Sequence, residues 1–404
     1  MASSMSRIYS QRLPSFLSSL MRKSRFVCAH DCKAQPTRTL LSDAYHANDT
    51  WINRERIIVD MDELKINLDR SFYDLKEPVL SVELHKYIDN VYDRDELDVA
   101  ADYLYSYRHS PVAHHLRQST VHSWLRLCME LGFHEQALKV LQNKRDYGLF
   151  PDNYTYNLLL DMFLRENDIK GACDVAIVMM REETLENCHL SQLLALHACH
   201  AYMKREEIPQ EERWDIGMTL ADSTRDVKST LAASYHVIGH AMTGRLDQAV
   251  KTLQSVCSVG DIKICSEVIN RLETEFSTGD ASEGLQVLFQ NTVQELTNQN
   301  KVSSEGLDAL MEQEMASRLP ALEEEGVAGY TALLEKWHQE HIEALEQKRL
   351  AALNQERVEK EMRLDQLQRA IGGIKYWEKD IEAASAAKHG ETAGREETQQ
   401  AENS

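Results

Sequence analysis

A chain of 404 residues with 43% apolar side chains can bury a sizeable core, which excludes a wholly disordered polypeptide. Its formal net charge of −20 excludes a body that grips nucleic acid through a generally basic surface. No apolar run approaches the roughly 18 residues of a membrane span, so no transmembrane helix is expected.

The charge is unevenly placed. Residues 1–42 carry Arg7, Arg12, Arg22, Lys23, Arg25, Lys33 and Arg38 against a single acid, Asp31, a balance of +6 that leaves −26 for residues 43–404. An opening rich in Arg and Ser and nearly free of acids has the composition of a mitochondrial transit peptide. Ile8, Leu13, Phe16, Leu17 and Leu20 recur at spacings that suit an amphipathic helix. The alternative is a basic arm that binds nucleic acid. Serines at 3, 4, 6, 10, 15, 18 and 19, set among those apolar residues, favour targeting. Residues 1–40 are therefore assigned to a leader for import into the mitochondrial matrix. Cys28 and Cys32 fall within it. The other six cysteines lie scattered among apolar residues and are expected to be buried free thiols.

Helix is the expected state of the remainder. Only 7 prolines and 16 glycines occur, and prolines 78, 111, 151, 209 and 320 are far enough apart to punctuate long helical runs. Residues 41–80 form an N-terminal helical segment. From residue 81 to about 280 the chain repeats. Shifting residues 120–152 by 35 positions lays Thr120 on Thr155, Trp124 on Leu159, Leu125 on Leu160, Cys128 on Phe163, Ala137 on Ala172 and Val140 on Val175. Each unit has helical apolar spacing broken at Gly132 or Asn167, hence helix, short turn, helix. Gly244–Gln254 matches Gly132–Gln142 at the glycine, the Gln-Ala pair, the lysine, the leucine and the final glutamine, but 112 positions away. That is three periods plus seven, which predicts an insertion within residues 189–224. Upstream, Leu84–Tyr107 has the same layout. Four or five stacked helical hairpins form a solenoid, in which each buries its apolar face on its neighbours.

A period of 34 would suit tetratricopeptide repeats and one of 35 pentatricopeptide repeats. Tyr147-Gly-Leu-Phe-Pro-Asp-Asn-Tyr-Thr-Tyr-Asn157 resembles the pentatricopeptide junction, in which Gly-x-x-Pro-Asp ends one unit and Thr-Tyr-Asn opens the next. With Tyr103-Leu-Tyr-Ser-Tyr-Arg-His-Ser-Pro111, Leu40–Tyr45 and Trp51, the chain resembles the metazoan family of mitochondrial ribosomal small-subunit proteins numbered twenty-seven, over about residues 40–180. The resemblance implies a pentatricopeptide-like solenoid in the mitochondrial ribosome. Its implied partners are the small-subunit ribosomal RNA and neighbouring ribosomal proteins, with no membrane, cofactor or small-molecule substrate. The alternative is a free mitochondrial pentatricopeptide factor for RNA processing or translation.

Pentatricopeptide proteins read single-stranded RNA one base per repeat. By resemblance the reading positions would be Asn157 with Asn187, and His122 with Asp152. Helical geometry puts His122, Arg126 and Glu130 on one stripe and Asn157, Asp161 and Arg165 on another. Those stripes are expected to face solvent or a partner, and their mixed charge favours a scaffold over a base reader. Phosphate contacts are instead expected from Arg108, His109, His114, His115 and Arg117 around Pro111, and from Lys139, Lys144 and Arg145, placed together in one second helix. Cys188-His189 and His197-Ala-Cys199-His200 invite a zinc reading, but positions 197, 199 and 200 diverge on a helix. The sequence carries no Gly-rich phosphate loop, nucleophile elbow or His-Glu-x-x-His, so no enzyme is expected.

Residues 281–384 read as a helical, coiled-coil-like region. One apolar stripe comprises Tyr330, Leu334, Trp337, His341 and Leu345, and another Leu364, Leu367 and Ile371, with a break permitted at Gly372-Gly373. From residue 385 nothing apolar is larger than alanine, and a disordered tail is expected.

Overall fold

A computed structural model describes residues 40–402 apart from 55, 206–207, 226, 259 and 279–281. Residues 1–39 of the leader assignment, with Cys28 and Cys32, lie outside the described residues. Among those described, the chain is all-α except for one two-residue parallel pairing of β1 (Ile264–Cys265) with β2 (Val302–Ser303).

Short helices α1 (Asp43–His46) and α2 (Asn48–Ile52) lead to α3 (Met61–Asp69), which widens into a π-helical stretch at Arg70–Leu75. Paired helices follow: α4 (Ser81–Asp89) with α5 (Arg94–Arg108), α6 (Gln118–Glu130) with α7 (His134–Gln142), and α8 (Asn153–Arg165) with α9 (Ile169–Arg181). Next come α10 (His189–Arg205) with α11 (Arg213–Thr224), α12 (Thr230–Met242) with α13 (Leu246–Ser258), and α14 (Ser266–Thr278) with α15 (Glu283–Asn298). First helices pack beside first helices from α4 through α10 and again at α12 with α14, and second beside second from α7 through α11 and at α13 with α15, the stacking of a solenoid.

Local chemistry explains the boundaries. Asp93, Asp152, Asp168 and Ser229 stand in extended or near-extended backbone before α5, α8, α9 and α12, and each side chain accepts a first-turn backbone N–H. The expected breaks at Gly132 and Asn167 are left-handed turns, with φ of 76° and 64°, and Gly244 repeats them at 74°. In each, the following N–H reaches back five residues: Phe133 to Cys128 O at 2.7 Å, Asp168 to Phe163 O at 2.9 Å, Arg245 to His240 O at 2.9 Å. This turn satisfies the last carbonyls of the first helix and reverses the chain.

The expected insertion is absorbed differently. First helices begin at Gln118, Asn153, His189 and Thr230, spacings of 35, 36 and 41. Six of the seven extra residues lengthen the α10–α11 pair, where α10 has 17 residues against 13 in α8. Residues 189–224 are thus a full hairpin of the array, enlarged rather than interrupted. α11 and α12 then cross closely through Gly217 and Gly239: a Cβ on Gly239 would lie 2.6 Å from the Gly217 carbonyl oxygen.

The C-terminal region is one helix, α16 (Leu307–Glu402). Pro320, expected to punctuate, lies inside it; the helix loses one backbone donor there and continues, with buried contacts on both sides. The helix also runs through Gly372-Gly373, and residues 385–402 extend it as helix rather than leaving it as an irregular tail. Its first half docks on first helices α4, α10 and α12 and on α1. Residues 346–371 and 376–386 are all exposed.

Candidate functional site

The face lined by the first helices is where a pentatricopeptide solenoid would meet RNA, and here the chain itself covers it. α1 and α2 lie across α6 and α8, and α16 runs back over them toward α4. Three tyrosines tie the layers together. Tyr45 stacks on Tyr154 with ring centroids 4.7 Å apart, and Tyr154 stacks on Tyr330 at 3.9 Å with planes 3° from parallel. The Tyr154 hydroxyl also donates to the Tyr45 carbonyl.

Of the two stripes expected to face outward, His122, Arg126, Asn157 and Asp161 are therefore buried, Arg165 is half-buried and Glu130 stays exposed. Asn157 is 1% exposed; its Nδ2 donates to the Tyr45 hydroxyl at 3.0 Å and its Oδ1 accepts from the Ser191 hydroxyl at 2.8 Å. His122 is likewise 1% exposed. Thr155 gives its hydroxyl proton to Asp152, so His122 holds its own hydrogen on Nδ1, 2.6 Å from Thr155 Oγ1. Its Nε2 then accepts from the Tyr330 hydroxyl at 3.1 Å. Burial holds the His122 pKa well below the usual range, so the ring is neutral. Asp161 is fully buried, with Leu41 N at 3.1 Å, His46 Nε2 at 2.8 Å and Arg165 Nε at 2.6 Å. Arg126 donates to the His46 carbonyl and stands 5.3 Å from the Trp51 ring centre. The correction has a simple cause: residues 41–54 and 307–345 supply the polar partners that solvent or RNA was expected to supply.

Asp152 acts as the N-cap of α8, accepting from Thr155 N at 2.9 Å, and burial raises its carboxyl pKa. In the Gly-x-x-Pro-Asp junction, Gly148 takes a left-handed φ of 63°, and a Cβ there would meet Arg108 Cδ at 2.6 Å. Tyr105 and Tyr147 pack edge to face at 5.9 Å. The two segments that carry the family resemblance therefore touch.

The cations separate into two groups. Arg117 is half-buried, donating to the Glu340 carbonyl at 3.1 Å, and Lys144 pairs with Glu182 at 2.8 Å. Arg108, His109, His114, His115, Lys139 and Arg145 are exposed. Lys139 lies on α7, but Lys144 and Arg145 lie in the turn beyond it, because α7 ends at Gln142. Sequence reasoning passed over the N-terminal residues Tyr45, His46 and Trp51 as site components; the polarity of the stripes they cover was the available signal. Elsewhere Cys173 and Cys199 approach to 3.9 Å between sulfurs, and His200 meets Asp308 at 3.0 Å.

The profile of the family described as Mitochondrial 28S ribosomal protein S27 matches residues 13–369. The chain belongs to that family. The match extends well beyond the segment 40–180 that showed the resemblance. The family is mitochondrial by its description, in agreement with the compartment expected from the sequence. The chain is also similar to the protein named Pentatricopeptide repeat-containing protein 2, mitochondrial. With that of Xenopus laevis it shares 25% identity over 158 residues, 38% of this chain and 39% of the relative. With that of Pongo abelii it shares 25% over 136 residues, 32% and 35% of the two chains. The match thus spans less than two-fifths of these curated relatives' length. No described helix is long and apolar enough to cross a membrane.

Proposed function

We propose that the chain is an architectural, non-enzymatic component of the small subunit of the mitochondrial ribosome, holding ribosomal RNA and neighbouring ribosomal proteins together. Family membership supports the assembly, and the self-covered first-helix face supports the architectural role. A reader of bases needs its code side chains free, and here Asn157 and His122 are committed to Tyr45, Ser191, Thr155 and Tyr330. RNA contact then falls to phosphates, met by Arg108, His109, His114, His115, Lys139 and Arg145 on the outer surface. Protein contact falls to the outer part of α16. That helix projects on the order of 85 Å beyond residue 345 at 1.5 Å per residue, and Leu350, Leu353, Leu364, Leu367 and Ile371 lie open along it.

The RNA reading is tested by salt titration. Filter binding of the full chain to small-subunit ribosomal RNA should show a log–log salt slope that falls by about 1 for each phosphate-contacting cation removed. Arg108→Gln with Arg145→Gln should therefore flatten the slope by about 2 without changing sequence preference. An unchanged slope would remove these residues from the interface.

A further inference from the structure

A cavity of about 560 Å³ opens between α2, α4, α6 and α16, with no residue of the Asn157 stripe in its lining. That is within the ~300–1,000 Å³ of small-ligand sites, and several polar groups converge on it. Trp51 and Trp337, 5% and 6% exposed, form apolar walls. The Arg54 guanidinium lies 3.3 Å from the Trp51 ring centre and is fixed by Asp89 at 2.7 Å. It is a rigid planar cation at the cavity lining. Ser123 donates to Asp89 at 3.1 Å, and Ser119 lines the cavity beside it.

Three histidines, His85, His338 and His341, complete the lining, with the rings of His85 and His341 packed 5.2 Å apart. His85 Nδ1 meets Thr120 Oγ1 at 3.3 Å, which leaves Nε2 for a ligand, and His341 Nδ1 is buried with no hydrogen-bond partner among the described residues. Burial pushes His85 down to about 4 and lowers His341, so both rings are neutral near pH 7 and each has its Nε2 left to meet a ligand. Besides the histidines, Arg54 and Lys86 face three carboxylates, Asp49, Asp89 and Glu335. Such a lining repels a free polyphosphate. It suits a flat, neutral ring with amine and carbonyl edges, which can stack on a guanidinium or indole and bond to hydroxyl, imidazole and carboxylate groups.

We infer that this cavity binds one unstacked heteroaromatic base. The base can come from an unpaired RNA nucleotide or from a free nucleoside; only the first source rests on the RNA-contact reading above.

The test titrates the full chain with adenosine, guanosine, cytidine, uridine and an unstructured octaribonucleotide, following the indole fluorescence to which Trp51 and Trp337 contribute with Trp124, Trp214 and Trp377. At least one ligand should quench saturably. Binding should weaken at least about tenfold, the worth of one stacked base, in Ser119→Leu, which puts a branched apolar side chain into the cavity in place of a hydroxyl, and in His85→Phe. Far-UV circular dichroism checks that both variants fold. An oligonucleotide at least tenfold tighter than any nucleoside assigns the source to RNA, whereas equal affinities assign it to a free nucleoside. Absence of saturable quenching by every ligand overturns the inference, as does undiminished binding in both folded variants. If the parent chain binds no RNA but shows saturable nucleoside quenching, the cavity site stands and only its RNA source is lost. If Ser119→Leu and His85→Phe bind RNA and every nucleoside as tightly as the parent, the site is overturned while the phosphate contacts stand.

Discussion

Asn157 shows how a motif position can keep its residue type while its partner changes. Its amide is used on both sides, so Asn157→Leu leaves the Tyr45 and Ser191 hydroxyls unpaired in a buried layer. The expected cost is about 1–3 kcal/mol in urea unfolding, with RNA affinity and sequence preference unchanged. Lost sequence preference at unchanged stability would show that this side chain reads a base. The motif singled out Asn157, His122 and Asp152 in the sequence, but as reading positions, and the cap role of Asp152 came only with the structure. The burial of Asn157 and His122 was not legible, because the covering residues Tyr45 and Tyr330 lie 112 and 208 positions from their partners. Periodicity reports a stripe and is silent on what lies over it. The histidines also set a pH response. Burial pushes His85 and His197 from the ordinary 6.5 down to about 4, so the folded state binds fewer protons than the unfolded state between those values. Their contribution is fully present above about pH 6.5 and is lost as pH falls toward 4. Tm should drop across that window, and His85→Phe should make the drop shallower.

At the scale of elements, the hairpin was readable because its determinants are local. Apolar spacing, an aspartate before a helix and a glycine after one act within a few residues, and the structure places left-handed turns at Gly132 and Gly244. A Cβ at either position meets nothing within 4 Å, so Gly132→Ala and Gly244→Ala carry only the conformational cost. Each should lose about 1 kcal/mol by thermal or chemical unfolding. Gly239→Ala is a different case. Its Cβ would strike the Gly217 carbonyl and the Ala221 nitrogen, at 2.6 and 2.8 Å, so α11 and α12 must separate. A loss of about 1–3 kcal/mol is expected, and a neutral result would contradict the close crossing. That crossing was not legible, because it depends on how two neighbouring hairpins meet. The enlarged hairpin at residues 189–224 was visible only as a register shift of seven, which periodicity alone cannot divide between a loop and a longer helix.

For the whole molecule, α16 divides into a docked half and a projecting half. The docked half contributes Met311, Met315, Tyr330 and Trp337 to the single core that also holds Tyr45 and Trp124. Removing residues 307–404 should expose that face and lower Tm strongly. Among the described residues, removing 346–404 takes from the solenoid the pairing of Lys348 with Glu83, worth under about 1 kcal/mol, and should leave Tm nearly unchanged. Equal Tm losses in the two truncations would refute the division. The shorter truncation also isolates assembly from folding, since it keeps the solenoid and deletes the open apolar stripe. The central claim is that this chain is a structural part of the small subunit, and sucrose-gradient sedimentation of mitochondrial lysate addresses it most directly. The full chain should travel with the small subunit, and the folded 1–345 truncation should move toward the top of the gradient. Full-length protein found only at the top, away from the small subunit, would contradict the account.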